Sequence, residues 1–299
     1  MKKGFFILSL ILCMFLTACT SDVVPEYDTD VSKFLSNMTD YLKLKFEEQP
    51  GSEQRSITDD LNGNNYDLKP LTILAFGSNE LNLHFYAYES DAMANAAISS
   101  FEVPPESDKF SDCAFVIWPN ANINAPIMHG DGLKYMAGMG GKLSMDFYMI
   151  NPAMDNDTIE DFFLSNVANL ENAMALVEEW RVPEGSSSLT EHLNPYKTKY
   201  RLEIKDPGRD NATAITRYTE AAYEAFTIYV DAYLNSLNSV STDFDESLMQ
   251  ANITGMISFI KNQVENDFVY QMGGLILGDD LDYYFLDGFW RENVYYTRK

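Results

Sequence analysis

Between residues 71 and 152 the chain carries five short segments that alternate apolar and polar residues: LTILAFG, ELNLHFYAYES, MANAAISSFEV, CAFVIWP and KLSMDFYMINP. Alternation with period two places every second side chain on one face of a strand. The segments follow one another too closely for helical crossovers, and parallel neighbours need such crossovers, so the sheet they form is mainly antiparallel. Helical spacing surrounds this block. Val31, Phe34, Leu35, Met38, Tyr41, Leu42 and Phe46 recur at three and four residues and predict a helix before it. Residues 158–180 predict another, with Asp157 as N-cap and Glu160 three residues on. After a Pro/Gly/Ser-rich loop at 182–195, YKTKYRLEIKD predicts a further strand, and helices are expected over 212–238, 245–265 and 268–290. Residues 49–66 are rich in turn formers and read as a loop. Helices flanking one antiparallel sheet make an α/β/α sandwich of three layers, formed by a single domain over residues 31–299.

With 46% hydrophobic residues in 299, such a core can be filled. The charge balance is one-sided: 21 Lys and Arg against 45 Asp and Glu. Nucleic-acid binding is therefore set aside, because phosphate recognition needs clustered cations.

The first residues read as a processing signal. Lys2 and Lys3 precede an apolar run from Phe5 to Leu16, too short for a comfortable membrane span. Leu16-Thr17-Ala18-Cys19 then resembles a bacterial lipobox, in which Cys19 is lipidated and becomes the new N-terminus. Residues 1–18 are thus expected to be a signal peptide and 19–30 a tether. The protein is expected to be exported and anchored to a membrane by lipid. Cys13 lies in the signal, so Cys113 remains without an intramolecular disulfide partner. His84 and His192 have no companions at metal-ligand spacing, and no metal site is expected.

The segment 112–152 carries the most specific pattern. Trp118-Pro119 ends a strand, Ala125-Pro126-Ile127-Met128 follows, Gly130-Asp131 comes next, and the stretch from Asp146 to Pro152 closes another strand. Near the C-terminus, Asn266-Asp267 precede Gly278 and the aromatic run Tyr283, Tyr284, Phe285, Phe289 and Trp290. Arg181-Val182-Pro183-Glu184 lies between the two. In order and spacing, over about 220 residues, this resembles the ferredoxin-dependent bilin reductases. A second placement competes for the C-terminal motif: Lys205-Asp206-Pro207-Gly208-Arg209 also resembles a family signature and would make Asp206 the second acid.

The resemblance implies reduction of a linear tetrapyrrole such as biliverdin, by single electrons from ferredoxin and protons from side chains, with no bound cofactor. It implies Asp131 as a proton donor, Asp267 as a second donor or positioning group, and Arg181 as the partner of a propionate. Asn266 belongs to the same substrate-binding motif, and Glu102, aligned without a gap, falls where an acid assists some members. Asp131 read locally is a turn residue in a His-Gly-Asp-Gly run, and Asp267 an N-cap. On an extended strand, however, His129 and Asp131 share a face, which makes His129 a candidate proton partner. The chain departs from the family in two places: Ala114 stands where members carry His or Asn, and Phe268 where some carry Lys. The acidic surface also disfavours an acidic ferredoxin unless residues such as 43, 45, 197, 199, 201, 205 and 209 form a basic face. A non-catalytic tetrapyrrole-binding surface lipoprotein therefore stands beside the enzyme. Replacing Cys19→Ser is expected to move the protein from the detergent-soluble membrane fraction to the aqueous one; unchanged partition on phase separation contradicts lipidation.

Overall fold

The computed structural model describes residues 29–47, 52–55, 64–65, 82–90, 94–102, 111–133, 142–183, 188–207, 211–241, 243 and 245–267. The strands among them are β1 (Ser52–Arg55), β2 (Asn64–Asn65), β3 (Asn82–Ser90), β4 (Ala94–Glu102), β5 (Ser111–Pro119), β6 (Ile127–Leu133), β7 (Lys142–Tyr148) and β8 (Leu202–Lys205). The helices are α1 (Thr29–Glu47), α2 (Asn156–Phe162), α3 (Val167–Leu176), α4 (Ala212–Leu237) and α5 (Glu246–Asn266). Seven strands lie in the order β1-β3-β4-β5-β6-β7-β8, with β2 also paired to β3, and every pairing is antiparallel. The predicted strands at 80–90, 93–103, 113–119 and 142–152 are all present; the one at 71–77 lies outside the described residues.

Alternation along β7 sorts the layers. Phe147 stacks on Tyr229 and Tyr233 of α4, at 5.3 and 5.9 Å between ring centres, and lies 4.5 Å from Phe163. Its neighbour Tyr148 points to the opposite face and meets Phe259 of α5 at 5.2 Å. One sheet face therefore packs on α1, α3 and α4, and the other faces α5, which makes the expected three layers. The apolar face carries Ile98, Phe115, Ile117, Met128, Met145 and Phe147, all buried in one cluster with Met38, Leu42 and Phe46 of α1. Those three helical positions are four residues apart and so form a single stripe. Burying each such side chain contributes about 1.5–3 kcal/mol. Two tyrosines of α4 also satisfy their hydroxyls at loop carbonyls. Tyr229 donates to Tyr200 O at 2.7 Å and Tyr233 to Pro126 O at 2.6 Å, which pins the helix along its length.

Local chemistry misplaces several boundaries. The helix expected over 158–180 is two helices with a break at 163–166, followed by a 3-10 turn at Glu178–Trp180. Its N-cap is Asp155, which accepts from the Thr158 backbone N–H at 2.9 Å, and not Asp157. The loop expected over 49–66 contributes the short edge strands β1 and β2. The strand expected from 196 begins only at Leu202. The helix expected over 268–290 lies outside the described residues.

α5 is fixed to two loops by a buried amide pair. Asn252 donates to the carbonyls of Ala121 and Ile123 and accepts from Asn151 Nδ2 at 2.9 Å. Three residues on, Gly255 lies where a Cβ would strike the Ile150 carbonyl. The obstacle is backbone and cannot rotate away. Gly255→Ala is accordingly expected to lower the unfolding free energy by about 2–4 kcal/mol, from the upper part of the usual range for overpacking to somewhat above it. A urea midpoint equal to that of the parent protein would contradict this contact.

Candidate functional site

The face toward α5 is polar, and strand register sets its rows. Ala114, Asp131, Ser144 and Glu203 are consecutive partners across β5, β6, β7 and β8. The next row runs Val116, His129 and Asp146. β6 is extended through the His-Gly-Asp-Gly run, so the turn reading of Asp131 is set aside and His129 and Asp131 share a face. Gly130, between them, points to the other face, where a Cβ would lie 2.5 Å from the Phe115 ring. Glycine here lets β6 lie against a large aromatic ring while its neighbours face the site.

Asp131 accepts a hydrogen bond from Ser144 Oγ. The His129 ring stacks on Tyr148, 5.8 Å between centres and 29° apart. Burial lowers the His129 pKa below its ordinary value, opposed by the negative charges of Asp131 and Asp267 and assisted by Arg201. The imidazole is thus held neutral near neutral pH, with two carboxylates ready to stabilise its protonated form. Asp267 comes from the end of α5 as its C-cap, with its backbone N–H donating to Gln263 O at 2.8 Å. An N-cap role for the following segment lies outside the described residues. His129 and Asp131 thus share one face of β6, and Asp267 is the C-terminal acid whose charge reaches His129; Asp206 follows the last residue of β8.

Other expected site residues are placed elsewhere. Arg181 bridges to Ile204, pairs with Glu178 at 3.2 Å and acts electrostatically on Tyr229 of α4, on the apolar side. Asn266 is exposed and donates back to Asn262 on its own helix. Glu102 pairs in register with Ser111, three residues along β5 from Ala114, the partner of Asp131. Cys19 and Phe268 lie outside the described residues. No cluster of three or more metal-ligating side chains occurs among the described residues, and none of their helices is long and apolar enough to cross a membrane.

The arginine that does reach the site is Arg201, one of the cations weighed above for a basic face. Its guanidinium lies 2.6 Å from Glu203 Oε2, and Lys142 holds the other oxygen of that carboxylate at 2.6 Å. Burial works against the charge on Arg201, yet Tyr148, Glu203 and Asp146 prevail and raise its pKa. Burial likewise works against ionised Glu203, but Lys142 and Arg201 outweigh it and lower its pKa. Two more residues of the expected basic face are also paired: Lys45 with Asp231 and Lys199 with Glu160.

Asp146 is fully buried beside this network. It accepts from Thr198 Oγ1 at 2.6 Å and from the Phe147 backbone N–H at 2.8 Å. Desolvation raises its pKa from 3.8 to about 6, against the hydrogen bonds and Arg201, which lower it. Asp146 was legible as part of a motif; Ser144, Tyr148 and Arg201 were not singled out as site residues, because only strand register brings them beside His129.

The pKa of Asp146 is raised on folding, so its protonated form is favoured in the native state. It therefore binds more proton folded than unfolded between pH about 4 and about 6, and stability falls as pH rises through that window. Asp146→Asn is expected to remove that component, on the order of 3 kcal/mol, leaving a shallower decline between those pH values. Chemical denaturation at pH 4, 5, 6 and 7 measures it; parallel curves for the two proteins would refute the shift.

No protein-family model matches the chain, and no curated protein matches it in sequence. Among solved structures, it is similar to the phytochromobilin synthase from tomato crystallised in complex with biliverdin, with TM-score 0.59 and 11% identity, over 88% of this chain and 80% of that one. At that identity the likeness establishes a shared fold.

Proposed function

We propose that this protein binds a linear tetrapyrrole against the α5-facing side of the sheet and reduces it by proton-coupled single-electron transfer. The observation that carries the reading is the placing of His129 and Asp131 side by side on the α5-facing side of the sheet, where the charge of Asp267 acts on His129, in a fold shared with a protein crystallised with biliverdin. Reducing one bilin double bond takes up two electrons and two protons. The electrons come singly from a ferredoxin-class donor, and the residues of this chain supply the protons. For each proton, His129, held neutral by burial, takes one up from solvent while the Asp131 and Asp267 carboxylates stabilise its charge, and Asp131, oriented by Ser144, passes it to the tetrapyrrole and returns to the carboxylate; two such relays supply the two protons. Tyr148 keeps its phenolic proton, since burial pushes its pKa far upward, and fixes the plane of His129 by stacking. In this reading Asp267 is the second acid. The Cys19 anchor places the site outside the cytoplasm, so the donor is a small redox partner of that compartment.

A second reading, tetrapyrrole capture without reduction, is favoured by one specific observation. Ala114 stands directly opposite Asp131 in register, where the bilin reductases it resembles carry a His or Asn. The pairing of Lys45, Lys199 and Arg201 with carboxylates also removes cations that would dock an acidic donor.

Absorbance separates the readings. Biliverdin mixed with the purified protein is expected to shift its long-wavelength band, and ferredoxin with a reductant to bleach it and produce a new band. Absence of any shift on mixing would sink both readings; a shift with no change on reduction leaves capture alone. Asp131→Asn is expected to slow reduction by roughly 10²-fold or more while changing the biliverdin Kd less than about threefold. Unchanged turnover would remove Asp131 from the mechanism.

A further inference from the structure

α5 carries one buried stripe, Asn252, Gly255, Met256, Phe259, Ile260 and Gln263, spaced by three and four residues. It holds two buried amides, and they are in opposite states. Asn252 is fully used, with its nitrogen on two carbonyls and its oxygen on Asn151. Gln263 lies one turn beyond Phe259, which meets Tyr148 of the sheet, and only 3% of it is exposed. Its Oε1 lies 3.4 Å from Nε2 of His192, in the 3-10 turn Ser188–Leu193. Asn262 ties that turn to α5 by donating to the His192 carbonyl at 2.7 Å. His192 Nε2 also lies 3.4 Å from Asp267 Oδ2, an acceptor, so Nε2 carries the hydrogen and the Gln263 atom facing it is the oxygen. The amide nitrogen is the other arm of the same plane and is directed away from His192. It is buried and has no hydrogen-bond partner. A donor that loses water on burial and gains no acceptor costs stability, and folded proteins retain few of them. Among the described residues one other buried side-chain nitrogen is in this state, Arg201 Nη1, whose neighbour Glu203 lies in the row with Asp131 and Ser144.

We propose that Gln263 is a specificity-determining residue whose Nε2 donates to a terminal lactam carbonyl of the linear tetrapyrrole. This rests on the bilin reading above and adds which group of the ligand α5 recognises. A linear tetrapyrrole ends in two lactam rings with neutral carbonyl oxygens and carries its propionate carboxylates nearer the middle. The neutral amide of Gln263 matches the neutral carbonyl. A carboxylate brought to it would approach the negative charge of Asp267, which shares His192 with Gln263. Binding then supplies the acceptor that folding leaves out. A ligand with no oxygen at that point leaves the donor unmet and binds less well.

Urea denaturation and absorbance titration with biliverdin, both on the full-length protein in detergent, test this with two variants. Gln263→Leu removes the donor at similar size. Gln263→Glu keeps an oxygen toward His192 and puts an acceptor where the nitrogen stands. Gln263→Leu is expected to unfold at the parent's urea midpoint or above it, because no buried donor is left unmet, while its biliverdin Kd rises roughly tenfold. Gln263→Glu is expected to raise the Kd further at neutral pH, since two acceptors then face each other. Infrared difference spectra give the direct readout: a lactam C=O band of bound biliverdin moves to higher wavenumber in both variants, and the carboxylate bands stay. A biliverdin Kd unchanged in Gln263→Leu overturns the proposal, as does a lactam band that ignores both substitutions. A urea midpoint lowered in Gln263→Leu with the Kd unmoved makes the amide part of the fold alone and also overturns it. Gln263→Glu decides the matter if Gln263→Leu does not fold. A parent protein that fails to bind biliverdin refutes the bilin reading and this occupant with it; equal binding by parent and variants refutes the role of Gln263 and leaves that reading standing.

Discussion

Everything else in this structure depends on β7 being buried on both faces. Phe147 enters an aromatic stack with Tyr229, Tyr233 and Phe163, while Asp146 and Tyr148, its immediate neighbours, must face the other way. A strand has no third option, because successive side chains alternate. The apolar stack fixes register, and that register carries His129 opposite Asp146 and Asp131 opposite Ser144. A slip of one residue would exchange the core and the site together.

The polar face pays for its charges locally. Glu203 is shared between Lys142 and Arg201, Asp131 takes the Ser144 hydroxyl, and Asp146 takes the Thr198 hydroxyl and two backbone N–H groups. Such a network is weak evidence for stability, since desolvation offsets much of the attraction. Its consequence is orientation. The acids and the imidazole are held at fixed rungs of one sheet, with the Arg201 guanidinium paired to Glu203 beside them.

The core was largely legible in the residues. The helix over 31–46 and most of the strands announce themselves by period, since burial on one face requires it. Less legible were features that local chemistry argues against. His-Gly-Asp-Gly has the composition of a turn and is a strand, because pairing to β5 and β7 outweighs turn preference. Arg201 reads as a surface cation and is drawn inward by Glu203 and Tyr148. Arg181 lies beside a motif-like proline and faces the α4 side, since its bridge to Ile204 sets its direction.

By itself the sequence determined the layer order, the antiparallel sheet and the candidate pair His129 and Asp131, because these follow from spacing along a single strand or helix. The tertiary structure decided which arginine lies beside them and which acid's charge reaches them. The physical reason is distance along the chain. Asp267 lies 136 residues from Asp131, and only the seating of α5 on the sheet lets its charge act on His129.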